Sequence, residues 1–149
     1  MVKKNEGRPT RQLNMQVKKY RYVTCKKDNE RNLFFAEYAP GLEVDLDVAR
    51  EIVGNRLEFT KGEDHYVVID LSNIKSVTAE AKRFMQSPEG GLQRIIGAAF
   101  FANNHVASLI ANVYVKTPTI FAARFFPSKE QAVSWIKSYM EDCASRDNK

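Results

Sequence analysis

The segment Tyr66-Val-Val-Ile-Asp-Leu-Ser72 constrains the fold more than any other stretch of the chain. Its apolar residues run on without the polar alternation of a half-exposed strand, so a strand here must be covered on both faces, inside a sheet. Such a strand needs a layer above it and another below, and the flanking sequence supplies both helix-like and strand-like periods. At the end of the run Asp70 and Ser72 turn the chain, and Thr78 opens a helical stretch over residues 79–85. Polar groups therefore gather at a strand end beside a helix N-terminus, the place where α/β folds put sites.

Upstream, residues 20–25 and 33–38 read as two strands about the polar turn 26–31, a β-hairpin. Asp45 or Asp47 can cap a helix in which Ala49, Ile52, Val53, Leu57 and the stem of Arg56 share one face, stopped by Lys61-Gly62. Downstream, Ser87-Pro88 and Gly90-Gly91 end the short helix, and Ile95 to Ala102 forms a fourth strand in which Gly97, Ala98 and Ala99 admit a close neighbour. Asn103 or Asn104 caps a third helix with Val106, Leu109, Ile110 and Val113 on one face, and residues 119–126 give a fifth strand. Ser128-Lys-Glu-Gln131 is a capping box for the last helix, whose stripe is Ala132, Val133, Ile136 and Met140. The order β-β-α-β-α-β-α-β-α predicts an α/β fold with a mixed five-stranded sheet, four helices and an N-terminal β-hairpin.

The chain has 149 residues, 44% of them hydrophobic, which is enough for one domain and too little for two ordinary ones. Residues 1–17, with Gly7 and Pro9 among Lys, Arg, Asn and Gln, are expected to be a disordered basic tail, 18–142 the domain, and 143–149 a disordered C-terminus. The net charge is +5, but residues 1–31 hold ten Lys or Arg against three Asp or Glu, leaving 13 against 15 in the remainder. The body is thus slightly acidic, and no specific nucleic-acid partner is expected. Ile95 to Ala102, the longest apolar or glycine run, falls far short of the roughly 18 residues a membrane span needs, so no transmembrane segment is expected. With no apolar segment behind the basic N-terminus to act as a secretory signal, the expected location is cytoplasmic. Cys25 and Cys143 lack metal-type spacing, and His65 and His105 lie apart from Asp, Glu and Cys, so neither metal nor cofactor is expected.

The order of elements, together with Val67-Val-Ile-Asp-Leu-Ser-Asn-Ile-Lys-Ser-Val-Thr78, resembles the STAS or SpoIIAA-like fold of the anti-sigma-factor antagonists. In that family a central strand ends in a similar apolar-Asp-Leu-Ser phrase, and the next helix begins Asp-Ser-Ser/Thr-Gly, whose hydroxyl a partner kinase phosphorylates. The first phrase is present; at the second, Thr78 stands at the aspartate, Ala79 at the first hydroxyl residue, Glu80 at the phosphorylatable position and Ala81 at the glycine. A nearer resemblance is to uncharacterised bacterial proteins of SpoIIAA-like fold with an Asp-Leu-Asp-Val-Ala-Arg-Glu-Ile-Val type of helix, here Asp45 to Val53. The resemblance implies a non-catalytic regulatory or protein-interaction role without the family phosphoswitch.

The candidate interaction surface is the loop and helix start carrying Asp70, Ser72, Ser76, Thr78 and Glu80. Each also has a local structural role: Asp70 and the serines as turn formers, Thr78 as a helix cap, Glu80 as an acid favoured in the first helical turn. As a contact surface they would meet a protein partner or a second copy of the chain. No catalytic constellation is evident: a phosphoacceptor role for Asp70 needs an acidic pair after the first strand, where Lys26 and Lys27 stand instead. A second reading is a carrier of an apolar small molecule or lipid held between residues 95–115 and the sheet, as in the lipid-transfer relatives of this architecture. A third is an enzyme using Asp70 and a histidine as general acid and base, which requires both in one cleft.

Overall fold

The computed structural model describes residues 15–28, 31–102 and 122–147. Eight strands and three helices lie among them: β1 (Met15–Lys19), β2 (Val23–Asp28), β3 (Leu33–Tyr38), β4 (Leu42–Val44), α1 (Leu46–Phe59), β5 (His65–Asp70), β6 (Ile74–Val77), α2 (Ala79–Met85), β7 (Ile95–Phe101), β8 (Ala123–Phe126) and α3 (Lys129–Asp147). The main sheet has six strands in the order β1-β2-β3-β5-β7-β8, and β4 with β6 makes a separate two-stranded ribbon. β1, β2 and β3 pair antiparallel, while β3, β5, β7 and β8 pair parallel.

The α/β fold and mixed sheet agree with the sequence reading, and the count of five strands does not. The additional strand of the main sheet is β1, which the sequence assigned in part to the tail. Four of its five residues are exposed, so it is held by backbone pairing with β2 and carries no apolar period to betray it. β4 and β6 are only three and four residues long and are not among the expected strands, although Leu42, Val44 and Ile74 are buried. The expected four helices compare with three among the described residues; the predicted third, with its Asn103 or Asn104 cap, lies outside them. The domain edges move as well, since β1 begins at Met15 and α3 runs through Cys143 to Asp147.

β5 sits between β3 and β7, with Val67 and Val68 essentially inaccessible. Successive side chains of a strand point to opposite faces, so β5 divides between two cores. Val67 and Ile69 join Phe34, Ala98 and Phe100 beneath α1 and α2, while Tyr66 and Val68 join Leu33, Ala99, Ala132 and Ile136 beneath α3. The adjacent pairs Phe100-Phe101 and Phe125-Phe126 split the same way, one ring to each core. Burying each such side chain contributes on the order of 1.5–3 kcal/mol, which fixes the register of the central strands.

The helices form where their caps and stripes predict. The Asp45 carboxylate accepts the Val48 amide at 2.9 Å, and α1 turns Ala49, Ile52, Val53 and Arg56 inward, spacings of one helical face. It ends at Lys61 and Gly62, both at positive φ, with the Gly62 amide on the Leu57 carbonyl. Thr78 Oγ1 accepts the Ala81 amide at 3.1 Å to start α2, and Ser128 Oγ accepts the Gln131 amide at 3.3 Å to start α3. α3 packs on β5, β7 and β8. Gly97 permits this approach, because a Cβ there would lie 2.7 Å from the Tyr139 ring and 2.8 Å from that of Tyr66. On this face the β1–β2 side of the sheet stays open: Val17 is 60% exposed, and Thr24 and Lys26 are half-buried.

Candidate functional site

The unequal covering of the sheet makes a groove. Its wall is the first turns of α3, with Lys129 and Val133; its floor is Phe35, Val68 and Phe101; its far side is Met15, Thr24 and Lys26. Glu37 and Asp70 stand at its upper end, where parallel strands β3 and β5 finish. The cavity measures about 420 Å³ and is open along one side, within the range of about 300–1,000 Å³ usual for small-molecule sites. Register brings its residues together: Thr24 is opposite Glu37, Glu37 beside Asp70, and Asp70 beside Phe101, one continuous row across four strands.

The five residues expected to form one surface are divided. Asp70 lines the groove on the α3 side, and its Oδ1 accepts the Ser72 amide at 2.9 Å, the local turn bond anticipated for it. Ser76, Thr78 and Glu80 are exposed along β6 and the start of α2, the helix that packs on α1 beyond the other face. Thr78 is engaged as a cap, its amide on the Val44 carbonyl and its hydroxyl on Ala81, and Glu80 sits in the first turn. Ser72 lies half-buried at the turn between the two groups.

A second polar cluster lies under α1 and was not anticipated as such. Arg56, expected on the apolar face of α1 by its stem, is buried to its guanidinium. Its Nη1 donates to the Gln93 carbonyl at 2.7 Å and to His65 Nε2 at 3.0 Å, and its Nη2 donates to the Gly91 carbonyl at 3.0 Å. With Nε2 accepting, His65 carries its proton on Nδ1 and donates it to the Glu63 carbonyl at 2.7 Å. Burial holds the His65 imidazole down at about 4 and the Arg56 guanidinium at about 10. Burial also pushes the Cys25 thiol up to about 12, far from a reactive thiolate. His65 and Asp70 point to opposite faces of β5, since they differ by an odd number of positions, so they share no cleft. The acid–base pairing of these two residues is thereby excluded; His105 lies outside the described residues.

Between α1, α2 and the sheet there is also an apolar space, lined by Ile52, Leu71, Ile74, Ile95, Ala98 and Phe100 among others. Its volume is about 40 Å³, well below the several hundred Å³ of ligand pockets. Residues 103–115 of the expected apolar binding segment lie outside the described residues. Among the described residues no group of three or more His, Cys, Asp or Glu is placed to hold a metal ion, and no helix is long and apolar enough to cross a membrane.

The family model for a domain of unknown function, DUF7793, matches residues 28–140. The chain belongs to the DUF7793 family. The match runs from the end of β2 through most of α3 and takes in the floor and the α3 wall of the groove, while Met15, Thr24 and Lys26 on its far side precede it. No curated protein matches the chain. Among solved structures, it is similar to an uncharacterised protein of the DUF3478 family with a SpoIIAA-like fold from Shewanella loihica PV-4, at 10% sequence identity and a TM-score of 0.53. The likeness covers 81% of this chain and 90% of that one. The DUF7793 chain therefore has a SpoIIAA-like fold, and at this identity the likeness speaks for the fold alone.

Proposed function

We propose that this chain is a non-enzymatic binding module whose recognition site is the groove beside α3, with Asp70 as the member legible in the sequence. The observation that carries the reading is the combination of an open cavity of about 420 Å³ with Lys26, Glu37, Asp70 and Lys129 around an apolar floor. Ligand sites are concave and largely apolar, with a few converging polar groups. The groove also lies at the carboxyl ends of parallel strands, where loops and side chains are free to meet a ligand. Two groups suited to chemistry are spent: both His65 nitrogens are hydrogen-bonded in the core, and Cys25 is a buried, neutral thiol.

A regulatory protein-interaction surface at Ser76, Thr78 and Glu80 is the second reading, favoured by their exposure along one rim. One experiment separates the two. Amide chemical-shift mapping of the full chain against a set of small charged fragments should move Thr24, Phe35, Glu37, Asp70 and Val133. Movement confined to Ser76 through Glu80, or none in the groove, overturns the groove as the binding site.

A further inference from the structure

The groove holds charges of both signs that are not spent on one another. Glu37 and Asp70 are direct neighbours in the parallel β3–β5 pair, so two carboxylates sit roughly 4.8 Å apart at their backbones, and like charges so placed repel. Lys26 is directly opposite Phe35 in the β2–β3 pair, and Lys129 Nζ lies 6.0 Å from the centroid of the Phe35 ring. Two lysines thus flank one phenyl ring. Phe35 and Glu37 are two residues apart on β3, a separation of roughly 6.6 Å along the strand. Among the described residues none of these four side chains makes a salt bridge, although five other ion pairs do form on the surface. Lys129 also stands in the first turn of α3, where the helix dipole disfavours a cation and favours an arriving anion.

An acidic pole and a basic pole therefore face one cavity from adjacent rows of the sheet, over an apolar floor formed by Phe35, Val68 and Phe101. We propose that the groove binds a small zwitterion, a primary ammonium and a carboxylate at the two ends of a short aliphatic chain. The ammonium lies between Glu37 and Asp70 and relieves their repulsion. The carboxylate lies between Lys26 and Lys129, and the methylenes rest on the apolar floor. A simple amine answers one pole and leaves the lysines unmet; a simple fatty acid does the reverse. This inference rests on the groove being the binding site.

Calorimetric titration of the full chain with aminohexanoate, its shorter and longer homologues, hexylamine and hexanoate tests it. Aminohexanoate is expected to bind at least about tenfold tighter than either single-ended compound, each charged end contributing independently. Glu37→Gln should weaken aminohexanoate about tenfold and leave hexanoate unaffected, while Lys26→Gln should weaken it comparably and leave hexylamine unaffected. Equal binding of aminohexanoate and hexylamine, or unchanged binding in both variants, overturns the proposal. If no amino acid of the series binds but other charged fragments still shift the groove amides, the ligand class is wrong and the groove stands. If nothing shifts them, both readings fall.

Discussion

On the α1 face of the sheet Arg56 gives its guanidinium protons to Gly91, Gln93 and His65, whereas on the α3 face Lys26, Glu37, Asp70 and Lys129 surround an open groove without an ion pair among the described residues. The contrast follows from solvent. A buried charge that lacks partners costs several kcal/mol, so the core admits Arg56 only with carbonyls already placed to receive it. A charge in a water-filled groove costs little to leave unpaired, and its free bonding capacity remains for a ligand. The saturated cluster is therefore architecture, tying α1 to the loop before β7 and to the start of β5, while the unsaturated one is where we propose that recognition takes place.

The largest expected effect probes the first half of that contrast. Arg56→Met keeps an apolar stem and leaves the Gly91 and Gln93 carbonyls without their donor, together with His65 Nε2. Each buried acceptor left unmet costs about 1–3 kcal/mol, so a loss of about 3–5 kcal/mol is expected in urea unfolding. A loss below about 1 kcal/mol would mean that water reaches these carbonyls and that the cluster is not sealed. Groove binding of any fragment should survive at temperatures where the variant remains folded.

A pH experiment gives the next effect. The His65 imidazole is held at about 4 by burial, below the roughly 6.5 of an unfolded chain, so the unfolded state takes up the proton first. The stability this residue contributes is complete above about pH 6.5 and is lost as pH falls toward 4. Protonation would also place N–H on Nε2 against the donating Arg56. The difference in unfolding free energy between the parent and His65→Gln should change by about 3 kcal/mol between pH 7 and pH 4, with the parent losing more. Parallel curves for the two would show that the imidazole titrates as if in water, against the sealed core.

Much of this fold was legible because burial leaves a period. The unalternating run at β5, the Asp45, Thr78 and Ser128 caps and the Lys61-Gly62 stop all carried their structure in local residue order. β1 left no such trace, since its stability comes from backbone pairing with β2 and its side chains face water. The groove was legible by a single residue. Asp70 stood out at a strand end, but Lys26, Glu37 and Lys129 lie 44, 33 and 59 positions away in the numbering and meet it through strand register and the docking of α3. A parity count on β3 gives a partial signal: Phe35 and Glu37 share a face, and the register of β3 on β5, which parity does not set, puts Glu37 beside Asp70. Arg56 was missed for another reason. Its position on the apolar face of α1 was clear, but the carbonyls that let its charge follow its stem inward come from a loop beyond α2.

The smallest effect separates structure from recognition within one residue. Asp70 has two duties: one oxygen holds the Ser72 amide, and the carboxylate charge faces Glu37 across the strand pair. Asp70→Asn keeps an acceptor for Ser72 and removes one of two repelling charges, so stability should stay within about 0.5 kcal/mol of the parent or rise slightly. Asp70→Ala removes the turn bond as well and should cost about 1 kcal/mol. Both should weaken a cationic fragment in the groove alike, because both remove the same charge. If Asn restores fragment binding along with stability, the carboxylate serves the turn alone, and the acidic pole of the groove reduces to Glu37. If Asn restores stability only, the charge at Asp70 is there for what the groove holds.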